Sequence, residues 1–192
     1  MDIVIHHNPD CETSRNVLAT IEAAGYAPTV IEYLKTRWTK PQLLGLFAAA
    51  GLTPLAALRE TKSPAAELGL LDDAVSGEAI LDAMVQHPIL VNRPIVCTAK
   101  GVRLCRPSEV VLDLLDRLPP GPFRKENGEL LIDDQGRRVA ATAEAERILD
   151  AERNAARAIL KARQDAVDDI RAGRPARYFL ASPSMPGTES SK

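Results

Sequence analysis

The residues best placed to do chemistry lie in one run, His6-His7-Asn8-Pro9-Asp10-Cys11-Glu12-Thr13-Ser14-Arg15. An apolar strand pattern, Ile3-Val4-Ile5, leads into the run, and a helical pattern carried by Val17, Leu18, Ile21 and Glu22 leaves it. Cys11 therefore falls at a strand-to-helix junction, where unpaired backbone N–H groups and the positive end of the helix dipole favour negative charge. A thiol in that position titrates below its usual value of about 8.5, and its thiolate is the nucleophile. The other fate of an isolated cysteine is a buried structural thiol. Polar neighbours on both sides argue against burial here. A dithiol oxidoreductase would carry a second cysteine at position 14, which is Ser14, and a phosphatase-type loop would carry an arginine at position 17, which is Val17. Cys11 is thus a single thiol whose reductant, if it is a redox centre, comes from another molecule.

Three arginines stand in places where an anion could be held. Arg59 follows the apolar run Leu55-Ala56-Ala57-Leu58, Arg93 immediately precedes Pro94, and Arg106 lies between Cys105 and Pro107. The last two occupy loops at strand ends, where open α/β sheets bind ligands. Guanidinium presents a rigid donor fork that matches a tetrahedral oxyanion, so three of them around one thiolate would indicate an anionic substrate. Taken singly, each is an ordinary surface ion-pair partner; only convergence would make a site.

The elements that must position these groups follow from periodicity. Ile3 to His6 reads as a strand, Ser14 to Ala24 as a helix stopped by Gly25, and Thr29 to Tyr33 as a second strand. Strand, helix, strand is a βαβ unit, which predicts parallel strands. Residues 40–86 turn helical, with Leu43, Leu44 and Phe47, then Leu55 to Arg59, then Ile80, Leu81 and Met84, and read as an insertion. Strand character returns at Ile89-Leu90-Val91 and Ile95-Val96-Cys97, and Val102-Arg103-Leu104-Cys105 returns antiparallel after the Ala99-Lys100-Gly101 turn. Pro107 opens a helix over Glu109 to Arg117, and Pro119-Pro120-Gly121-Pro122 ends the compact domain. The reading is thus a compact domain over 1–118, a packed arm or small hairpin over 119–140, a long charged helix over 141–181 and a disordered Pro/Gly/Ser-rich tail over 182–192. The narrow, alanine-rich stripe of that helix offers a surface for self-association; a loosely docked helix is the simpler reading.

Composition excludes several classes. The chain has 192 residues, 45% hydrophobic and 26% charged, as in globular proteins with a sizeable core. A net charge of -2 gives no reason to expect a nucleic-acid partner. No segment approaches the ~18 unbroken apolar residues of a membrane span, and the N-terminus lacks the pattern of a signal peptide. Three cysteines without an export signal predict free thiols in a reducing cytoplasm. His6 and His7 are adjacent and His87 stands alone, so no metal-ligand spacing exists and no metal is expected.

Three motifs carry a resemblance: His7-Asn8-Pro9-x-Cys11-x-Thr13-Ser14-Arg15-Asn16, His87-Pro88-Ile89-Leu90-Val91-Asn92-Arg93-Pro94-Ile95-Val96, and Arg103-Leu104-Cys105-Arg106-Pro107-Ser108-Glu109. In order and spacing they look like the glutaredoxin-coupled arsenate reductases, over about residues 2 to 138. The resemblance implies a thioredoxin-like α/β fold, a mixed sheet with a helical insertion, and a cis bond at Arg93–Pro94. It implies that Cys11 is the nucleophile, that Arg59, Arg93 and Arg106 bind the oxyanion, that His7 favours the thiolate, and that Ser14 hydrogen-bonds the sulfur. Arsenate would be the substrate, glutathione the co-substrate and glutaredoxin the partner, with no bound cofactor. Cys105 belongs to the motif without a catalytic role, and Cys97 reads as core. Glu12 stands where the family usually has glycine, and its carboxylate is expected to oppose the thiolate. Residues beyond 141 have no counterpart in the family. The competing reading is a regulatory or stress protein on the same fold that binds a partner; Ser14 and the three arginines favour the enzyme.

Overall fold

The computed structural model describes residues 2–72 and 74–139. The expected helix over 141–181 and tail over 182–192 lie outside the described residues. Strand β1 (Val4–His7) is the hub of the sheet. Its pleat sends alternate side chains to opposite faces, so Ile5 and His7 project to one side and Val4 and His6 to the other. Helix α1 (Glu12–Ala23) covers the first side with Val17 and Ile21, and β2 (Thr29–Glu32) returns parallel to β1. The βαβ unit is as the sequence pattern requires. Strand β3 (Ile95–Thr98) pairs antiparallel with β1 and with β4 (Gly101–Leu104), giving the order β2-β1-β3-β4. Gly101 opens β4 at φ 129°, a conformation that side chains disfavour.

The insertion covers the second face. Tyr33–Thr36 forms the short helix α2, followed by α3 (Lys40–Ala50) and α4 (Gly77–Gln86). Thr39 and Gln42 form a reciprocal capping box at the start of α3, Gly51 closes it in the left-handed region, and Ser76 accepts from Ala79 N–H at the start of α4. Leu43, Phe47, Ile80, Leu81 and Met84 pack with Trp38, Tyr33 and Ile95 into one core; Ile3, Ile5, Val17, Ile21, Val96 and Cys105 belong to the other.

Four local readings differ from the structure. Tyr33 leaves the strand and begins α2. Residues 55–57 form turns rather than a helix, and Leu58 makes an isolated bridge. Ile89-Leu90-Val91 is not a strand: Pro88–Leu90 is a 3-10 turn, and Val91 makes only an isolated antiparallel bridge to Leu58. The helix after Pro107 is 3-10 over Ser108–Leu114. Its buried Ser108, Val111 and Leu114 recur every third residue, the period at which 3-10 side chains eclipse along one ridge.

The core also continues past Pro119-Pro120-Gly121-Pro122. Strands β5 (Phe123–Arg124) and β6 (Leu130–Ile132) form a hairpin whose Leu131 and Ile132 are 1% and 0% exposed in the α1-side core. Burying each such side chain is worth about 1.5–3 kcal/mol. Gly121 permits this return, because any side chain there would collide with the Asp133 carbonyl. Among the described residues no helix is long and apolar enough to cross a membrane.

Candidate active site

Sheet register brings the site together. Val4 pairs with Thr29 and with Cys97, and Ile95 with Leu104. The last paired rows are His7–Glu32, His6–Ile95 and Ile95–Leu104, so Asn8, Tyr33, Arg93 and Arg106 lie just beyond the strands at the same end of the sheet. The bond from Cys105 N–H to the Pro94 carbonyl, 2.9 Å, extends the β3–β4 pairing by one row. The Arg93–Pro94 bond is cis, as the resemblance implies, and Arg106–Pro107 is cis as well.

Arg59 arrives by a different route. Asn92 N–H donates to the Ala57 carbonyl at 2.9 Å, Asn92 Nδ2 to the Leu58 carbonyl at 3.0 Å, and Arg59 N–H to the Leu90 carbonyl at 2.7 Å. This short antiparallel stitch fastens the insertion to the segment that ends in Arg93. Arg106 also donates to Thr13 Oγ1 at 3.4 Å, which ties the β4 exit to the first turn of α1.

Cys11 occupies the N-cap of α1, with an extended backbone at φ -107° and ψ 115°. Its N–H donates to the Asn8 carbonyl at 3.1 Å, and Asn8 Oδ1 accepts from Asp10 N–H at 3.0 Å, which fixes the loop as an Asx turn. Its sulfur stands at the helix entry, where a capping oxygen is usual, but makes no capping hydrogen bond. Cys11 is only 9% exposed, so its polar sequence neighbours do not keep it at the surface. Burial pushes its pKa up, but Ser14 N–H, the charge of Arg93, the Ser14 hydroxyl and the Arg93 guanidinium together hold it below the ordinary thiol value. The Ser14 hydroxyl is buried and has no hydrogen-bond partner among the protein's oxygen and nitrogen atoms, which leaves it free to donate to sulfur.

The three arginines share this environment. Burial pulls Arg59 below its ordinary value and the like charge of Arg93 pulls the same way; Tyr33 and Cys11 oppose them, and Arg106 adds to the lowering. Among the described residues none of Arg59, Arg93 and Arg106 has a carboxylate partner. Arg93 is 5% exposed, and its Nε has no acceptor. Arg93 and Arg59 act on Cys11 and Arg106 acts on Arg59, and guanidinium groups without counter-charge can hold an oxyanion.

His7 is where the strand puts it, on the α1 side of the sheet and buried. Burial lowers its pKa; Glu32, the Ser14 backbone and Glu22 pull it up, Arg15 pulls it down, and the net shift is downward. The surroundings therefore favour neutral imidazole over the imidazolium that a charge effect on the thiolate would need. Cys97 is half-buried rather than core, and Cys105 is fully buried with its thiol pushed up well beyond the ordinary range by burial.

Other neighbours of the site lie outside the three motifs or have no evident role within them. Tyr33, Trp38 and His6 stack in series, His6 on Trp38 at 4.9 Å and Trp38 on Tyr33 at 5.0 Å. At the loop's outer edge, Arg15 holds Glu126 through two bonds of 2.8 and 2.9 Å and donates to the Pro9 carbonyl at 2.7 Å, while Glu126 N–H donates to Asn16 Oδ1 at 2.9 Å. The alternation of β1 could have placed His6 opposite His7; nothing in the sequence relates Glu126 to Arg15.

Comparison with known proteins agrees with this architecture. The profile of the ArsC family matches residues 6–114. The chain is 76% identical over 137 residues to the arsenate reductase ArsI2 of Synechocystis sp., covering 71% of this chain and 98% of that one. It is 49% identical over 138 residues to the arsenate reductase of Escherichia coli (strain K12), covering 72% and 98%. The structure is similar to that of an arsenate reductase from Vibrio cholerae, with a TM-score of 0.57, 41% sequence identity, and coverage of 60% of this chain and 98% of the other.

Proposed function

Because the chain belongs to the ArsC family, we infer that it is an oxidoreductase that reduces arsenate to arsenite through a Cys11 thiolate. What supports this reading is a thiol of lowered pKa at the start of α1, favoured by the charge of Arg93, together with Arg59, Arg93 and Arg106 lacking carboxylate partners among the described residues. The thiolate attacks arsenic while the guanidinium forks hold the oxygens and stabilise the charge that develops. A sulfur–arsenic bond forms, and one oxygen leaves as hydroxide or water. Glutathione is the co-substrate that attacks next, and glutaredoxin removes it. Glutathione and the glutaredoxin thiol leave as a mixed disulfide, their electron pair reduces As(V) to As(III), and water cleaves the Cys11 sulfur–arsenic bond to release arsenite and return the thiol. An external thiol is required because position 14 is Ser14, whose hydroxyl holds the thiolate instead. His7 acts as a neutral buried side chain that packs behind the loop. The three free cysteines fit a reducing cytoplasm.

The test is arsenite production by the purified protein with arsenate, glutathione and glutaredoxin. Cys11→Ser is expected to abolish it, while Cys97→Ser and Cys105→Ser keep most of it. Arg93→Lys is expected to impair turnover, since a point charge does not reproduce the planar fork. Full activity in the Cys11 variant would sink the mechanism. A wild-type protein that makes no arsenite would favour the regulatory reading.

A further inference from the structure

Six buried polar side-chain atoms among the described residues lack a hydrogen-bond partner: His6 Nδ1, His7 Nδ1, Ser14 Oγ, Tyr33 Oη, Trp38 Nε1 and Arg93 Nε. They belong to the thiol loop, to the residues at the same end of the sheet, or to the aromatic stack beside it. Leaving such groups unpaired is costly, and native structures rarely do so without reason. Ser14 and Arg93 already have a use in the reaction. Tyr33 does not.

Tyr33 is 0% exposed and directly follows Glu32, the last β2 residue paired with β1, at the end of the sheet where Asn8, Arg93 and Arg106 also lie beyond their strands. Its ring is held by stacking on Trp38 at 5.0 Å, so the hydroxyl has a fixed direction and little entropy to lose. We propose that Tyr33 is a further substrate-contacting residue, whose hydroxyl donates a hydrogen bond to an oxygen of the oxyanion held by the arginine trio. The proposal rests on the arsenate-reducing function inferred above.

Two further observations fit. The charges of Arg93, Cys11 and Arg59 all act on the Tyr33 hydroxyl, so it lies among the groups that would surround the anion. Burial, opposed by Arg93 and Arg59 and reinforced by Cys11, pushes its pKa up to about 12, so it keeps its proton and remains a donor. The guanidinium groups supply charge and this hydroxyl supplies a neutral donor of fixed direction. A partner for so enclosed a hydroxyl arrives with the substrate.

Tyr33→Phe separates this role from a structural one, because phenylalanine keeps the stack and removes only the orphaned oxygen. Arsenate binding is read as protection of Cys11 from alkylation, alongside arsenite production and thermal unfolding. The expected result is a thermal midpoint that is unchanged or higher, with arsenate affinity lower by about tenfold or more, the scale of a hydrogen bond to a charged group. Equal protection of wild type and variant would overturn the Tyr33 role and leave the arsenate function intact. A variant that unfolds, or melts lower with unchanged affinity, would show that the hydroxyl is structural and overturn it too. Arsenate that fails to protect even the wild type would overturn the function on which the proposal rests.

Discussion

At the scale of residues, the protonation of Cys11 is decided by a contest that ends in favour of the thiolate. Burial opposes the thiolate, while Ser14 contributes a backbone N–H and a hydroxyl, and Arg93 a charge and a donor. Glu12, judged by its place beside the cysteine alone, would be a strong opponent. In the structure it is an exposed residue of the first turn of α1, where the helix dipole favours a carboxylate and solvent screens it from the sulfur. The rate of Cys11 alkylation is therefore expected to rise with pH around a midpoint below the ~8.5 of a free thiol. With Cys97 and Cys105 changed to serine, Glu12→Gly is expected to move that midpoint by less than about half a pH unit. A drop of a full unit or more would mean that the carboxylate faces the sulfur. Cys11, Ser14, Arg93 and the motif around them are legible in the sequence, because their residue types carry the chemistry. The protonation of His7 is not, since it depends on how deeply a strand end is buried.

At the scale of elements, the proposed anion site is assembled by two pairings of different kinds. The β3–β4 hairpin brings Arg93 and Arg106 to the same end of the sheet, and it is readable from the turn at Ala99-Lys100-Gly101. The stitch between residues 57–59 and 90–92 is not readable. Its strand-like composition, Ile89-Leu90-Val91, resolves into a 3-10 turn and a single bridge, because Pro88 starts the turn and Asn92 uses its side chain to complete the pairing. Asn92→Ala removes the bond to the Leu58 carbonyl and is expected to cost about 1 kcal/mol of stability. It is also expected to raise the KM for arsenate more than it lowers kcat, since what it loosens is the seat of Arg59. Lowered stability with an unchanged KM would show that Arg59 is held by other means.

For the whole molecule, the informative boundary is the one after the hairpin. The compact unit spans Met1–Ala140, and the matches of 137 and 138 residues to the relatives cover 98% of their lengths. The run Pro119-Pro120-Gly121-Pro122 suggests an earlier stop, because prolines and glycine end regular structure. It is instead a bend that brings Leu131 and Ile132 back into the core. We therefore expect a chain ending at residue 140 to unfold cooperatively and to reduce arsenate at the rate of the full chain. One ending at residue 118 is expected to lose cooperative unfolding, because it exposes the site those two side chains fill. Denaturant melts of the two truncations decide this, and a stable, active shorter chain would show the hairpin to be dispensable.

Cys11 is both the proposed reagent and the N-cap residue of α1, and its lowered pKa links folding to the state of the reaction. A group whose pKa is lower in the folded chain than in the unfolded one stabilises the fold at pH above its unfolded value, and that contribution fades as the pH falls through the folded value. The resting thiolate thus contributes to the stability of the helix that activates it. In the proposed reaction, bond formation to arsenic removes that titrating charge, so the adduct lacks this pH-dependent contribution to stability until the thiolate returns.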